Sequence, residues 1–121
     1  MCYTTKSADL KSKIQLVDGV ITACVQVPAD SIWFDGHFPE IAVLPGVAQL
    51  AIVAGVLGEA LGKQVRIREV SRARFKQAIL PGDAIEVQIR PKENDTRSYG
   101  FRLLKGQELA CSGFITVAAE P

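Results

Sequence analysis

The chain has 121 residues, 14 Lys and Arg against 13 Asp and Glu, and 48% apolar residues. That length suits one domain around one core, so residues 1–121 are expected to fold as a single unit, and the apolar content excludes a disordered chain. A net charge of +1 excludes the overall cationic surplus of a nucleic-acid binder, so any charged partner must be read from local patterning.

The first residues, Met-Cys-Tyr-Thr-Thr-Lys, are polar and lack the apolar stretch of a secretory signal. Cys2, Cys24 and Cys111 form an odd set with no Cys-x-x-Cys spacing. With a single histidine in the chain they cannot make a usual zinc set, so no metal is expected. The simplest reading is reduced thiols in a cytoplasmic protein, with Cys24 and Cys111 packing as small apolar residues. Residues 7–13 read as a surface entry segment. Residues 14–17 and 20–27 are rich in Val and Ile and flank Asp18-Gly19. Asp-Gly between two such runs signals a hairpin, because a type I′ turn needs positive φ at both central residues.

Residues 29–44 form a loop holding Trp33, Phe34 and Phe38, aromatics that suggest inward packing. Pro45 then opens "PGVAQLAIVAGVLGEAL", and proline suits a first helical position because its missing N–H has no partner there. Gln49 and Glu59 are the only polar side chains in this stretch, so the helix is expected to be buried nearly all round, ending at Gly62. The apolar run around it is interrupted by Pro45, Gly46 and Gln49, and is not expected to span a membrane.

From residue 64 the period changes to two. "QVRIREVSRARFKQAI" sets Arg66, Arg68, Arg72, Arg74 and Lys76 against Val65, Ile67, Ala73 and Phe75, the pattern of a strand with one wet and one packed face. Leu80-Pro-Gly-Asp83 is a turn, "AIEVQIRP" a strand, Glu93-Asn-Asp-Thr96 a turn, and "RSYGFRLL" and "ELACSGFITVA" two more strands around Lys105-Gly-Gln107. One long apolar helix with five or six antiparallel strands makes an α+β fold in which the sheet must wrap the helix, since nothing else can bury it. Such a sheet leaves an edge and a face open, which predicts a homodimer or a higher even oligomer.

Three stretches now stand out together: Phe34-Asp-Gly-His-Phe-Pro39, Val43-Leu-Pro-Gly-Val47 and Arg74-Phe-Lys-Gln-Ala-Ile-Leu-Pro-Gly-Asp83. Their order and spacing resemble the 3-hydroxyacyl-[acyl-carrier-protein] dehydratases, over roughly residues 13–118. The resemblance implies a hot-dog fold, an antiparallel sheet wrapped round one long central helix. It implies no cofactor. It also implies that His37, the chain's one histidine, is catalytic, and that a Glu or Asp on the central helix of the other subunit completes the site. The position matching that acid is Ala51. The chain therefore looks like a divergent branch that lacks the helix acid.

Dehydrating a 3-hydroxyacyl thioester needs a base for the C2 proton, a donor for the charge that develops on the thioester oxygen, and an acid for the departing hydroxyl. An imidazole transfers protons near neutral pH, which suits His37 to the first task. The free N–H groups at the helix start, around Gly46 and Val47, can hold an oxyanion, or can simply begin a helix. Gln49 can position a hydroxyl or a water, or be a hydrogen-bonded buried amide. It cannot donate a proton as an acid does, and it lies about 200° round the helix from Ala51. Glu59 falls about 12 Å along the axis from Ala51, so the loop carboxylates Asp35 and Glu40 are better rescue candidates.

The cations Arg66, Arg68, Arg72, Arg74 and Lys76 are read either as a solvated face or as a docking stripe for an acidic acyl carrier protein, with nucleic acid disfavoured by the lack of interleaved aromatics. The expected activity is dehydration of 3-hydroxyacyl thioesters on acyl carrier protein, or on coenzyme A, in fatty-acid or related lipid or polyene synthesis. The alternatives are a hot-dog acyl thioesterase and an acyl-binding, dehydratase-like subunit weakened by the loss of its acid.

Overall fold

The computed structural model describes residues 14–27, 46–80 and 82–118. In chain order these form β1 (Ile14–Val17), β2 (Val20–Gln26), α1 (Gly46–Leu61), β3 (Ile67–Phe75), β4 (Ala84–Lys92), β5 (Asp95–Lys105) and β6 (Glu108–Val117). The strands make one sheet in the order β1-β2-β4-β5-β6-β3, every pair antiparallel. This is the hot-dog arrangement. β2 and β3 are consecutive strands yet lie on opposite sides of the β4–β5–β6 meander, so the chain between them has to cross the sheet. The apolar helix α1 lies within that crossing segment.

Local chemistry sets the elements where the sequence places them. Asp18 and Gly19 have φ of 51° and 79°, the positive pair that a two-residue turn between twisted strands demands. Helix α1 ends where Gly62 turns left-handed at φ 72° and the Lys63 N–H donates back to the Gly58 carbonyl at 3.1 Å, a Schellman closure of the last turn. Alternation on the central strands sends Ile85, Val87 and Ile89, Tyr99, Phe101 and Leu103, and Cys111, Ile115 and Val117 to the buried face. Each fully buried Ile, Leu or Phe there stabilises the fold by about 1.5–3 kcal/mol. From α1 the core receives Ala48, Val53, Val56 and Leu57.

The Leu80-Pro-Gly-Asp83 turn has a structural task. The Val27 N–H donates to the Asp83 carbonyl at 2.8 Å, and the Gly82 N–H returns a bond to the Val27 carbonyl at 2.8 Å. The Asp83 carboxylate accepts from the Leu80 N–H at 2.7 Å and pairs with Lys105 Nζ at 2.9 Å. Val27 closes β2 just before residues 28–45, so this turn anchors the chain at the point where the histidine-bearing segment begins.

Two expectations need correction. Helix α1 is not buried all round: Val47, Ala51, Gly55 and Glu59 are exposed, four positions at a spacing that shares one helix face. A single sheet covers one side of a helix, so the apolar character of the other side calls for a cover from outside this part of the chain. Nor does β3 have a packed face. Only Ile67 is partly shielded, Val70 is 36% exposed and Phe75 52%, because β3 is an edge strand bonded on one side only, to β6. Among the cysteines, Cys111 is a free, buried thiol pushed up to about 11 by burial, as fits a packing residue. Cys24 is disulfide-bonded, where the sequence alone suggested a reduced thiol.

Candidate active site

The start of α1 is the natural focus of the chemistry. The first N–H groups of a helix have no partner within it and carry the positive end of its dipole. Val47 in this turn is 63% exposed. Gly46 is needed there for a reason the sequence does not show: a Cβ at this position would lie 2.9 Å from Phe75 Cζ. The bare glycine therefore lets the aromatic ring of the edge strand lie against the helix start. That ring, half open to solvent, borders the place where an oxyanion would be held.

Gln49 and Ala51 point in opposite directions. Gln49 is 3% exposed and shares the sheet-facing stripe with Val53 and Val56. Ala51 is exposed on the open face with Val47 and Gly55. The amide of Gln49 consequently does not occupy the direction of the family's helix acid. Glu59 is on the same open face as Ala51, two turns further on. His37, Asp35 and Glu40 lie outside the described residues, as does Pro45. Among the described residues no cluster of His, Cys, Asp and Glu could hold a metal ion.

The five cations read as one stripe do not form one. The register of β3 against β6 slips between Ile67 and Glu69, and again between Ser71 and Arg74. Each slip inserts an extra residue on β3, the signature of a β-bulge, and Arg72 sits in the second with a φ of 53°. Alternation cannot carry a stripe across two such breaks. The stripe divides. Arg72, Arg74 and Lys76 line a concavity of about 890 Å³, whereas Arg66 and Arg68 do not.

The other cations of that concavity come from strands remote in sequence: Arg90 and Lys92 on β4 and Arg102 on β5. The register explains the meeting. Arg74 pairs with Ser112, Ser112 with Arg102, and Arg102 with Gln88, so one row crosses four strands on the face opposite the core. In the next row Arg90 pairs with Gly100 and Gly100 with Phe114, whose ring lies 4.9 Å from Lys92 Nζ. The alternation of Arg90 and Arg102 with buried Ile89, Phe101 and Leu103 was available in the sequence. What could not be read was that β3 neighbours β6, which is needed to bring the two cation groups together.

Comparison with known proteins adds the following. The profile of the ApeI-like family, described as ApeI dehydratase, matches residues 13–114. The 3-hydroxyacyl-[acyl-carrier-protein] dehydratase FabZ of Oceanobacillus iheyensis is 35% identical over 81% of this chain and 76% of its own length. The protein of the same name from Staphylococcus saprophyticus is 34% identical over 87% of this chain and 84% of its own. Among solved structures, the dehydratase heterocomplex ApeI:P from Xenorhabdus doucetiae superposes with a TM-score of 0.74 and 25% identity, covering 87% of this chain and 92% of that one. A thioesterase-superfamily protein superposes with a TM-score of 0.63 at 14% identity, a likeness of fold alone.

Proposed function

This chain belongs to the ApeI-like dehydratase family, and from that membership we propose that it is a hydro-lyase dehydrating 3-hydroxyacyl thioesters carried on acyl carrier protein, in fatty-acid or related lipid synthesis. The observation that carries the reading is the linked set of motifs, Gly-His-Phe-Pro, Pro-Gly-Val and Pro-Gly-Asp, in a chain whose profile match spans residues 13–114. The exposed first turn of α1 supports it. In this reading His37 removes the C2 proton, the N–H groups at Gly46 and Val47 hold the thioester oxygen, and the imidazolium so formed passes that proton to the hydroxyl, which leaves as water when its bond to C3 breaks and the C2–C3 double bond forms. Gln49 shapes the site from the sheet side. On this reading the reaction belongs to the cytoplasm, as the dehydratase membership suggests. Among the described residues no helix is long and apolar enough to cross a membrane.

The test is incubation with a 3-hydroxyacyl carrier protein, followed by mass. Loss of water to give the enoyl product is expected. Free acid would instead mark a thioesterase, and no change of mass would remove the enzymatic reading. Coenzyme A thioesters assayed in parallel decide which carrier is preferred.

The site is read as shared between two subunits, because the Val47–Ala51–Gly55 face of α1 and the edge of β3 are both open. A homodimer or higher even oligomer is the expected assembly. Sedimentation at micromolar concentration should show it, and a lone monomer would make a shared site untenable. A second reading is a weakened subunit that works beside a complete one, favoured by Ala51 in place of the acid and by the name of the similar ApeI:P heterocomplex.

A further inference from the structure

The second β-bulge of β3 decides where Phe75 points. Val70 pairs with Ile115 and Phe75 with Cys111, so both share the helix-side face of the sheet with those buried partners. Phe75 comes five positions after Val70, an odd step that strict alternation would turn to the opposite face. The extra residue between Ser71 and Arg74, where Arg72 has a φ of 53°, restores the parity and aims Phe75 at α1. Just past the ring the backbone is pinned: the N–H groups of Lys76 and Gln77 both donate to the Ala110 carbonyl, at 2.7 and 3.2 Å. The core gains little from this arrangement, since Phe75 stays 52% exposed. Its tip is directed at Gly46, where a Cβ would lie 2.9 Å from Cζ and 3.1 Å from Cε1. Cα–Cβ bonds of a helix tilt toward its N-terminus, so a ring standing against that Cβ position lies on the side to which the first N–H groups point.

We propose that Phe75 is a specificity-determining residue: its ring tip fills the space beside C2 of the acyl group and restricts the site to 3-hydroxyacyl thioesters unbranched at C2. The proposal rests on the dehydratase reading above, which puts the thioester oxygen on the N–H groups at Gly46 and Val47. An N–H···O bond is about 2.9 Å long and C2 is only two bonds from that oxygen, so C2 comes within van der Waals reach of what stands in front of Gly46. A methyl branch on C2 needs room there. The backbone behind the ring is held at Ala110, so that room has to come from the ring itself. One carbon too many in an apolar pocket is worth about 10–200-fold in discrimination.

Two measurements on wild type, Phe75→Leu, Phe75→Ala and Val70→Ala test this. The first is kcat/KM for enoyl formation from the pantetheine thioesters of 3-hydroxybutyrate and 2-methyl-3-hydroxybutyrate. The second is the Kd of butyryl- and 2-methylbutyryl-pantetheine, which lack the hydroxyl and cannot be dehydrated. Melting curves and sedimentation accompany each protein. Wild type should prefer the unbranched compound about tenfold or more in both measurements. Phe75→Leu keeps an apolar side chain on the edge strand but withdraws the tip, and should narrow both ratios severalfold by a gain on the branched compound. Phe75→Ala should narrow them further. Val70→Ala, on the same face of the same strand, should leave them unchanged. A wild type indifferent to the branch, folded Phe75 variants with unaltered ratios, or an equal narrowing from Val70→Ala would overturn the proposal. Equal losses on both compounds, or unfolding of both Phe75 variants, would overturn it too, by making the ring a mere seat for α1. If wild type forms no enoyl product but its Kd ratio still moves with Phe75, the ring keeps its role and the dehydratase reading falls. Enoyl formation with ratios that ignore Phe75 does the reverse, and failure to bind or turn over any of the thioesters removes both.

Discussion

His37→Ala lowers kcat for dehydration by about 10²–10⁴-fold, the usual worth of a positioned proton-transfer group, and leaves the melting temperature close to that of wild type. The expectation rests on elimination as well as on the Gly-His-Phe-Pro motif. His37 is the chain's one histidine. Cys111, the free thiol of the described residues, is buried with its proton held to about pH 11, so it neither attacks nor accepts a proton near neutrality. The carboxylate on α1, Glu59, stands at the far end of the helix from Gly46. Neither group supplies a base at the helix start. Dehydration is followed as enoyl formation, with a thermal melt of each protein alongside. Activity within a few-fold of wild type would take His37 out of the chemistry. A melting temperature lowered in step with activity would make it a structural residue.

The second large effect is a gain. Ala51→Glu is expected to raise the dehydration rate about tenfold or more, by returning a proton donor to the position where the family's helix acid stands. Covered by a second subunit, a carboxyl there would lie in an apolar site, which raises its pKa and keeps it protonated and able to donate. The structure also revises the cost. In a packed position the larger side chain would cost about 1–3 kcal/mol, but Ala51 is exposed in the isolated chain, next to Val47 and Gly55. There the penalty reduces to a few tenths of a kcal/mol of helix propensity. Any crowding should then appear as weaker assembly, not as a lower stability of the monomer, and sedimentation distinguishes the two. Ala51→Gln is the control: it has the same bulk, has no acidic proton, and should not accelerate the reaction. If Ala51→Glu slows an already fast enzyme, the missing acid does not limit catalysis, and Glu40 becomes the next residue to replace.

The Ala51 effect turns on one line of α1, and that line shows how sequence and structure divide the explanation. Composition made the helix apolar on every side, which reads as burial in a single chain. In the folded chain the sheet takes only the Gln49–Val53–Val56 side. The residues that look redundant for the core, Val47, Ala51 and Gly55, are the ones left to meet a second surface.

Local physics was legible from the residues alone. Asp18-Gly19 demanded a turn with positive φ, Pro45 and Gly62 bracketed α1, and alternation along most of β4, β5 and β6 assigned their buried faces. These are short-range preferences that act between neighbours in the chain, so the sequence states them directly. The tertiary structure decided what depends on which strands become neighbours. The crossing past α1 put β3 at the sheet edge beside β6, where a strand with a good alternating pattern stays largely exposed. Two bulges, visible only in the register with β6, broke the expected five-cation stripe. The same non-sequential order set Arg74 in a row with Ser112 and Arg102, and so built a concavity whose strand cations come from β3, β4 and β5. Strand order follows from long-range pairing across the whole sheet, a global balance of burial and hydrogen bonding that no local stretch of sequence contains.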